Sequence, residues 1–134
     1  MGDCGHELIE HTADVGLHVW APTLEEVFAE AAVALIRTMG DGAGPGVSQE
    51  VALDAPDLES LFVDWLSEVL FLFEARQIVP KAVRVRIDRE RCRLDATVDG
   101  VRAETFVQEG PAVKAITYHG LTLSETDATV YLDV

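Results

Sequence analysis

The sequence predicts an α+β fold: a two-layer domain with a largely antiparallel or mixed sheet and two helices packed on one face. Three observations predict it. Two segments, one opening at Thr23 and one near Asp54 or Asp57, repeat apolar residues at helical spacing. Several others alternate apolar and polar residues with the period of a strand. Clean alternation means one face of the sheet is packed and the other wet, and two apolar helical stripes can cover the packed face.

The elements follow in order. Residues 8–10 and 15–20 read as strands, the second alternating Val15, Leu17 and Val19 with Gly16, His18 and Trp20. The tetrapeptide His11-Thr12-Ala13-Asp14 lies between them as a turn. Thr23, followed by Glu26, forms a capping box that opens a helix. Its apolar face is Leu24, Val27, Phe28, Ala31, Leu35 and Met39, and Gly40 ends it. Residues 40–46 are glycine-rich and read as a loop. They lack the Lys-Ser/Thr ending and the preceding strand of a phosphate-binding loop. A short strand over residues 47–54 leads to the second helix. Its stripe of Leu58, Leu61, Phe62, Trp65, Leu66, Val69, Leu70 and Phe73 is wide enough to imply deep burial.

The remainder reads as antiparallel strands. Val83, Val85 and Ile87 alternate with Arg84, Arg86 and Asp88, and Cys92, Leu94, Ala96 and Val98 alternate with polar neighbours. Asp99-Gly100 is a two-residue hairpin signal, from which residues 101–106 return. Strands over residues 113–123 and 129–134 complete the set.

The 134 residues fit a single domain, residues 1–134, with a sizeable core. Ten Lys and Arg face 24 Asp and Glu, a formal net charge of -14. Such a surface repels phosphate backbones, so direct nucleic-acid binding is disfavoured, and cations or basic protein surfaces become the expected partners. The N-terminus has neither the basic region nor the apolar run of a signal peptide. The longest apolar stretches are too interrupted to cross a bilayer. A cytoplasmic monomer is the expectation. Cys4 and Cys92 belong to no CxxC motif and read as reduced thiols.

Three polar groupings could carry chemistry: the His11–Asp14 turn, the stretch holding Lys114 and His119, and Asp133 with Val134. Alternation puts Asp133 on the wet face of the last strand, beside the α-carboxylate expected at Val134. If Asp14 approaches, the anionic oxygens repel one another unless a cation or protons intervene. Hard oxygen ligands select calcium, magnesium or manganese over zinc. Other readings stay open from the residues alone. Asp14 can satisfy turn amides, Asp133 can be solvated, and Lys114 can be a base, a phosphate contact or an ion-pair partner. His11, His18 and His119 match no standard zinc spacing. No GxSxG or HExxH motif is present, so catalysis has little support.

Taken together, the segments resemble the archease family. The residues that carry the resemblance are Glu10-His11-Thr12-Ala13-Asp14-Val15-Gly16, residues 21–32, residues 61–70, Val113-Lys114-Ala115-Ile116-Thr117-Tyr118-His119 and Val130-Tyr131-Leu132-Asp133-Val134. The HTAD turn, the KAITYH strand and a penultimate Asp are specific in that combination. The resemblance implies an accessory protein, not an enzyme, that partners an RtcB-type RNA ligase in tRNA splicing. It would promote the ligase's guanylylation and repeated turnover. It also implies a divalent cation, calcium first and magnesium or manganese as alternatives, held by Asp14, Asp133 and Val134. His11, Lys114 and His119 fall at further motif positions, expected to serve partner activation. The family's Arg-His pair ahead of the KAITYH strand is missing: the chain reads Thr105-Phe106-Val107-Gln108-Glu109-Gly110-Pro111 there. Two alternative functions remain: a general chaperone of nucleic-acid-modifying enzymes that masks basic surfaces, and, ranked last, a metal-dependent hydrolase.

Overall fold

The computed structural model of the chain describes residues 3–10 and 14–134. Its elements run β1 (Gly5–Glu10), β2 (Asp14–Trp20), α1 (Leu24–Met39), β3 (Gly40–Ala43), β4 (Gly46–Asp54), α2 (Leu58–Arg76), β5 (Ile78–Asp88), β6 (Arg93–Arg102), β7 (Thr105–Gln108), β8 (Ala115–Leu123) and β9 (Asp127–Asp133). This is the expected α+β class, and all the strand pairs are antiparallel. The strands divide into three sheets: a four-stranded sheet of order β1-β2-β9-β8, a two-stranded ribbon β3-β7 and a three-stranded sheet β4-β6-β5.

The helices form where the sequence places them. Thr23 caps α1: its side chain accepts from the Glu26 amide at 3.2 Å and donates to the Glu26 carboxylate at 2.9 Å. Asp57, not Asp54, caps α2 by accepting from the Ser60 amide at 2.7 Å. That bond, with the Ser60 side chain, holds the Asp57 carboxyl below its ordinary value. The helices meet at Phe28 and Phe62, whose rings lie edge to face with centroids 4.9 Å apart. Beside them Trp65, fully buried, donates its indole N–H to the Phe28 carbonyl at 2.8 Å. Leu17, Val19, Val130 and Leu132 from one sheet and Leu94, Ala96 and Val98 from another join the same core.

Three local expectations are corrected. Asp99-Gly100 makes no hairpin: both residues lie inside β6, which runs on to Arg102. Gly100 faces Pro80, where the β5 register shifts, and a Cβ there would sit 2.0 Å from the Val79 carbonyl oxygen. The glycine therefore answers a close backbone approach, not a turn. Residues 40–43 are not loop but strand β3, paired with β7. Cys92 lies in the turn before β6 with φ of 51°, where its carbonyl accepts from the Ala55 amide at 3.1 Å. Both cysteines are free thiols, as expected. Among the described residues, no helix is long and apolar enough to cross a membrane.

Candidate functional site

β1 ends at Glu10 and β2 begins at Asp14. His11 lies outside the described residues, with Thr12 and Ala13. β2 then pairs with β9 in a register that sets Asp14 directly opposite Asp133. Residues so opposed share a face, with Cβ atoms typically about 4.5–5.5 Å apart, and like charges there repel. Among the described residues, neither carboxylate has an ion-pair partner. The repulsion is relieved by water, protons or a cation.

Lys114 joins this corner through its backbone, its N–H donating to the Asp133 carbonyl at 2.7 Å, and Ala115 pairs with Asp133. The Lys114 side chain is exposed. Val134 is half-buried and packs against the core, which holds the end of β9 in place. The fold thus gathers Asp14, Asp133, Lys114 and Val134 at one end of the four-stranded sheet. His119 is set apart. It lies exposed in the irregular stretch of β8 between Thr117 and Thr122, where the register with β9 shifts.

The donor chemistry at the corner fits a hard divalent cation, because both side chains offer only oxygen. Among the described residues, no three His, Cys, Asp or Glu side chains gather around one point. A cation held between Asp14 and Asp133 would need main-chain oxygens, such as that of Val134, and water to complete the six to eight ligands calcium takes.

Sequence reasoning missed the surroundings of this pair. Beyond it on the same face, the Tyr131 ring lies over Gly16 of β2 and Gly120 of β8. A Cβ on Gly16 would stand 2.9 Å from one ring edge, and one on Gly120 would stand 2.8 Å from the other. Gly120 also has φ of 70°, which a side chain would strain. Glycines within strands were the available signal, since they often mark such close approach. Further along, His18 reaches Glu7 at 3.1 Å and Asp127 at 3.5 Å. The Ser124 hydroxyl, 2.7 Å away, holds the Asp127 carboxyl below its ordinary value, and His18 adds to the effect. A separate groove of about 560 Å³ lies on the three-stranded sheet among Glu50, Arg84, Arg86 and Asp95, away from the Asp14–Asp133 corner.

Comparison with known proteins places the chain in a family. The model of the Archease protein family matches residues 6–134. The archease of Methanosarcina acetivorans is 40% identical over 129 residues, covering 90% of this chain and 87% of the relative. That of Danio rerio is 35% identical over 127 residues, covering 91% and 78%. The solution structure of Methanobacterium thermoautotrophicum protein 1598 superposes with a TM-score of 0.70 at 30% identity, covering 97% of this chain and 99% of that one. The Thermotoga maritima archease, described as a possible chaperone, shares the fold with a TM-score of 0.61 at 24% identity. On the match across residues 6–134, the chain belongs to the archease family.

Proposed function

We propose that this protein is an accessory factor, not itself an enzyme, that activates an RtcB-type RNA ligase through a divalent cation held at the Asp14–Asp133 corner. The single observation that carries the reading is the register that opposes Asp14 and Asp133 at the end of the four-stranded sheet. Asp14, Asp133 and an oxygen of Val134 would hold the ion, with calcium preferred by hard oxygen donors and a flexible ligand number. When bound, the ion would supply positive charge to the phosphates of a nucleotide at the ligase surface. The chain's own part is to hold the two carboxylates at fixed separation. The β2–β9 pairing does this, and the hydrogen bond from the Lys114 amide to Asp133 ties β8 to the same point. Lys114 stands at the partner side of this corner and His119 contributes from further up β8; His11, outside the described residues, is assigned to partner activation by its motif position alone. The role belongs to RNA processing of the tRNA-splicing kind, in the cytoplasm.

The test is ligase guanylylation and multiple-turnover joining with wild type and with Asp133→Ala. The expected result is stimulation by the wild type and its loss in the variant. Equal stimulation by both overturns the role of this site.

A second reading is favoured by one observation, the net charge of -14. A broader chaperone that covers basic surfaces of nucleic-acid enzymes would bind without metal and weaken as salt rises. Capture of the ligase that survives both chelation and Asp14→Asn would support it over the cation reading.

A further inference from the structure

An unpaired strand edge presents a row of N–H and C=O groups, which proteins blunt with bulges, lysines, prolines or a covering element. Among the described residues, the outer strands are treated unequally. The ladder of β8 is broken between Thr117 and Thr122. That of β5 shifts between Pro80 and Ala82, and α1 flanks the strand, Ala29 and Val33 lining a groove with Val83. β1 spans six residues, and β3 and β7 four each. β4 has no such device. Its nine residues pair one to one with β6 and contain no Lys or Pro, and no described strand pairs with their other edge. Its only charges are Glu50 and Asp54.

Two hydrogen bonds show which groups that edge offers. The Arg102 amide donates to the Pro45 carbonyl at 2.9 Å and the Ala55 amide to the Cys92 carbonyl at 3.1 Å, one at each end of the β4–β6 ladder. Antiparallel pairing alternates, so the odd-numbered residues between them bond to β6. Ser48, Glu50, Ala52 and Asp54 therefore turn their backbone groups to the open edge, and all four are exposed. The Gln49 side-chain amide donates to the Glu50 carbonyl at 3.0 Å, and a carbonyl with two lone pairs accepts a second donor.

Electrostatics selects the occupant. The strands β4, β5 and β6 carry five basic and five acidic side chains, although the whole chain has 10 Lys and Arg against 24 Asp and Glu. Two copies of an acidic molecule therefore meet at this sheet with little repulsion. A two-fold pairing of β4 with itself must also keep like charges from facing each other. Registers centred on Glu50 or Ala52 set carboxylate against carboxylate. One centred on Gln49 leaves Asp54 beyond the ladder. Centring on Val51 sets Glu50 against Ala52 and Asp54 against the Ser48 hydroxyl, two side chains with no other partner among the described residues. From this we infer that two copies of this chain join through the open edge of β4, antiparallel and centred on Val51, into one six-stranded sheet. The inference departs from the monomer expected of the sequence. It stands apart from the cation corner, which lies on the other sheet, and neither reading depends on the other.

The experiment measures the mass of the full chain by sedimentation velocity, in chelator, from about 5 to about 500 µM. The expected result is a doubling of mass as concentration rises. It should tighten from about 0.1 M to about 0.5 M salt, because screening relieves the repulsion between two molecules of net charge -14. The amides of Ser48, Glu50, Ala52 and Asp54 gain protection from hydrogen exchange as the dimer forms. At the higher salt, Ala52→Lys meets Glu50 of the second copy at two equivalent places and tightens the dimer roughly two- to thirtyfold. Ala52→Glu weakens it by a similar factor. Ala82→Lys makes the same charge change two strands from the seam and leaves the dimer as it was. A mass that stays that of one chain at every concentration overturns the inference and leaves the edge to a strand of a different protein. A dimer whose β4 amides gain no protection overturns it too. Equal responses to Ala52→Lys and Ala82→Lys overturn the register.

Discussion

The four-stranded and three-stranded sheets cover the same two helices, yet their outward faces are opposites. On β4-β6-β5 cations and carboxylates are interleaved, within β6 and between β5 and β6. Arg84 lies 3.5 Å from Asp99, Arg93 lies 3.4 Å from Asp95, and the Thr97 hydroxyl donates to Glu50 at 2.8 Å. On β1-β2-β9-β8 the carboxylates have no Lys or Arg in any of the four strands, and Asp14 and Asp133 stand face to face. A face that satisfies its own charges needs no partner. A face that opposes like charges carries a cost that a cation or a basic surface can offset. The contrast is the reason the proposed cation site is placed on the first sheet.

The largest expected effect tests whether the two sheets are one cooperative unit. Trp65→Ala empties a site between the helices and removes a buried hydrogen bond. It should cost about 3–5 kcal/mol in urea unfolding. Amide protection should fall together in both sheets; a drop confined to one would split the domain. Next comes the cation. Calcium at about a hundredfold over its Kd should stabilise the wild type by about 2.7 kcal/mol in thermal unfolding. Asp133→Ala should respond far less, and Arg84→Ala as strongly as the wild type. An equal calcium response in all three would erase the distinction between the faces.

Gly100→Ala should come third, at about 1–3 kcal/mol by overpacking, because its Cβ would meet the Val79 carbonyl. Gly46→Ala in the same sheet has open space, with its nearest neighbour 3.9 Å away, and serves as the control. A smaller effect concerns acid. Asp127 has a folded pKa below its ordinary value of 3.8, so its stabilising contribution is present above that value. It fades as pH falls through the lower, folded one. Ser124→Ala should move the Asp127 titration, followed by carboxyl NMR, back towards 3.8. The smallest effect is expected from Arg84→Ala without metal. Its side chain is 77% exposed, so stability should change by less than about 0.5 kcal/mol.

Much of the architecture was legible because it is written locally. Thr23 with Glu26, Asp57 before Leu58 and the apolar stripes of both helices are short-range signals, and each appears in the structure. Alternation placed β2, β5 and β6, since strand period depends only on which side chains point inward. The misreadings share one cause. Asp99-Gly100 and the glycines of residues 40–46 look the same whether glycine serves a turn or makes room for another backbone. Only the neighbour decides. Val79 presses on Gly100, and β7 pairs with β3. Cys92 likewise continued an alternation on paper but sits in a left-handed turn.

The sequence by itself determined the helices, the strand periodicity, the acidic balance and the motif residues, Asp14 and Asp133 among them. Tertiary structure alone decided that those two residues, more than a hundred positions apart, lie opposite each other in one strand pair. It also decided that Tyr131 and Trp20 rest on glycines of neighbouring strands. The reason is physical. Helix caps and side-chain period act over a few residues, whereas strand register is settled by long-range pairing and by which face the shared core can bury.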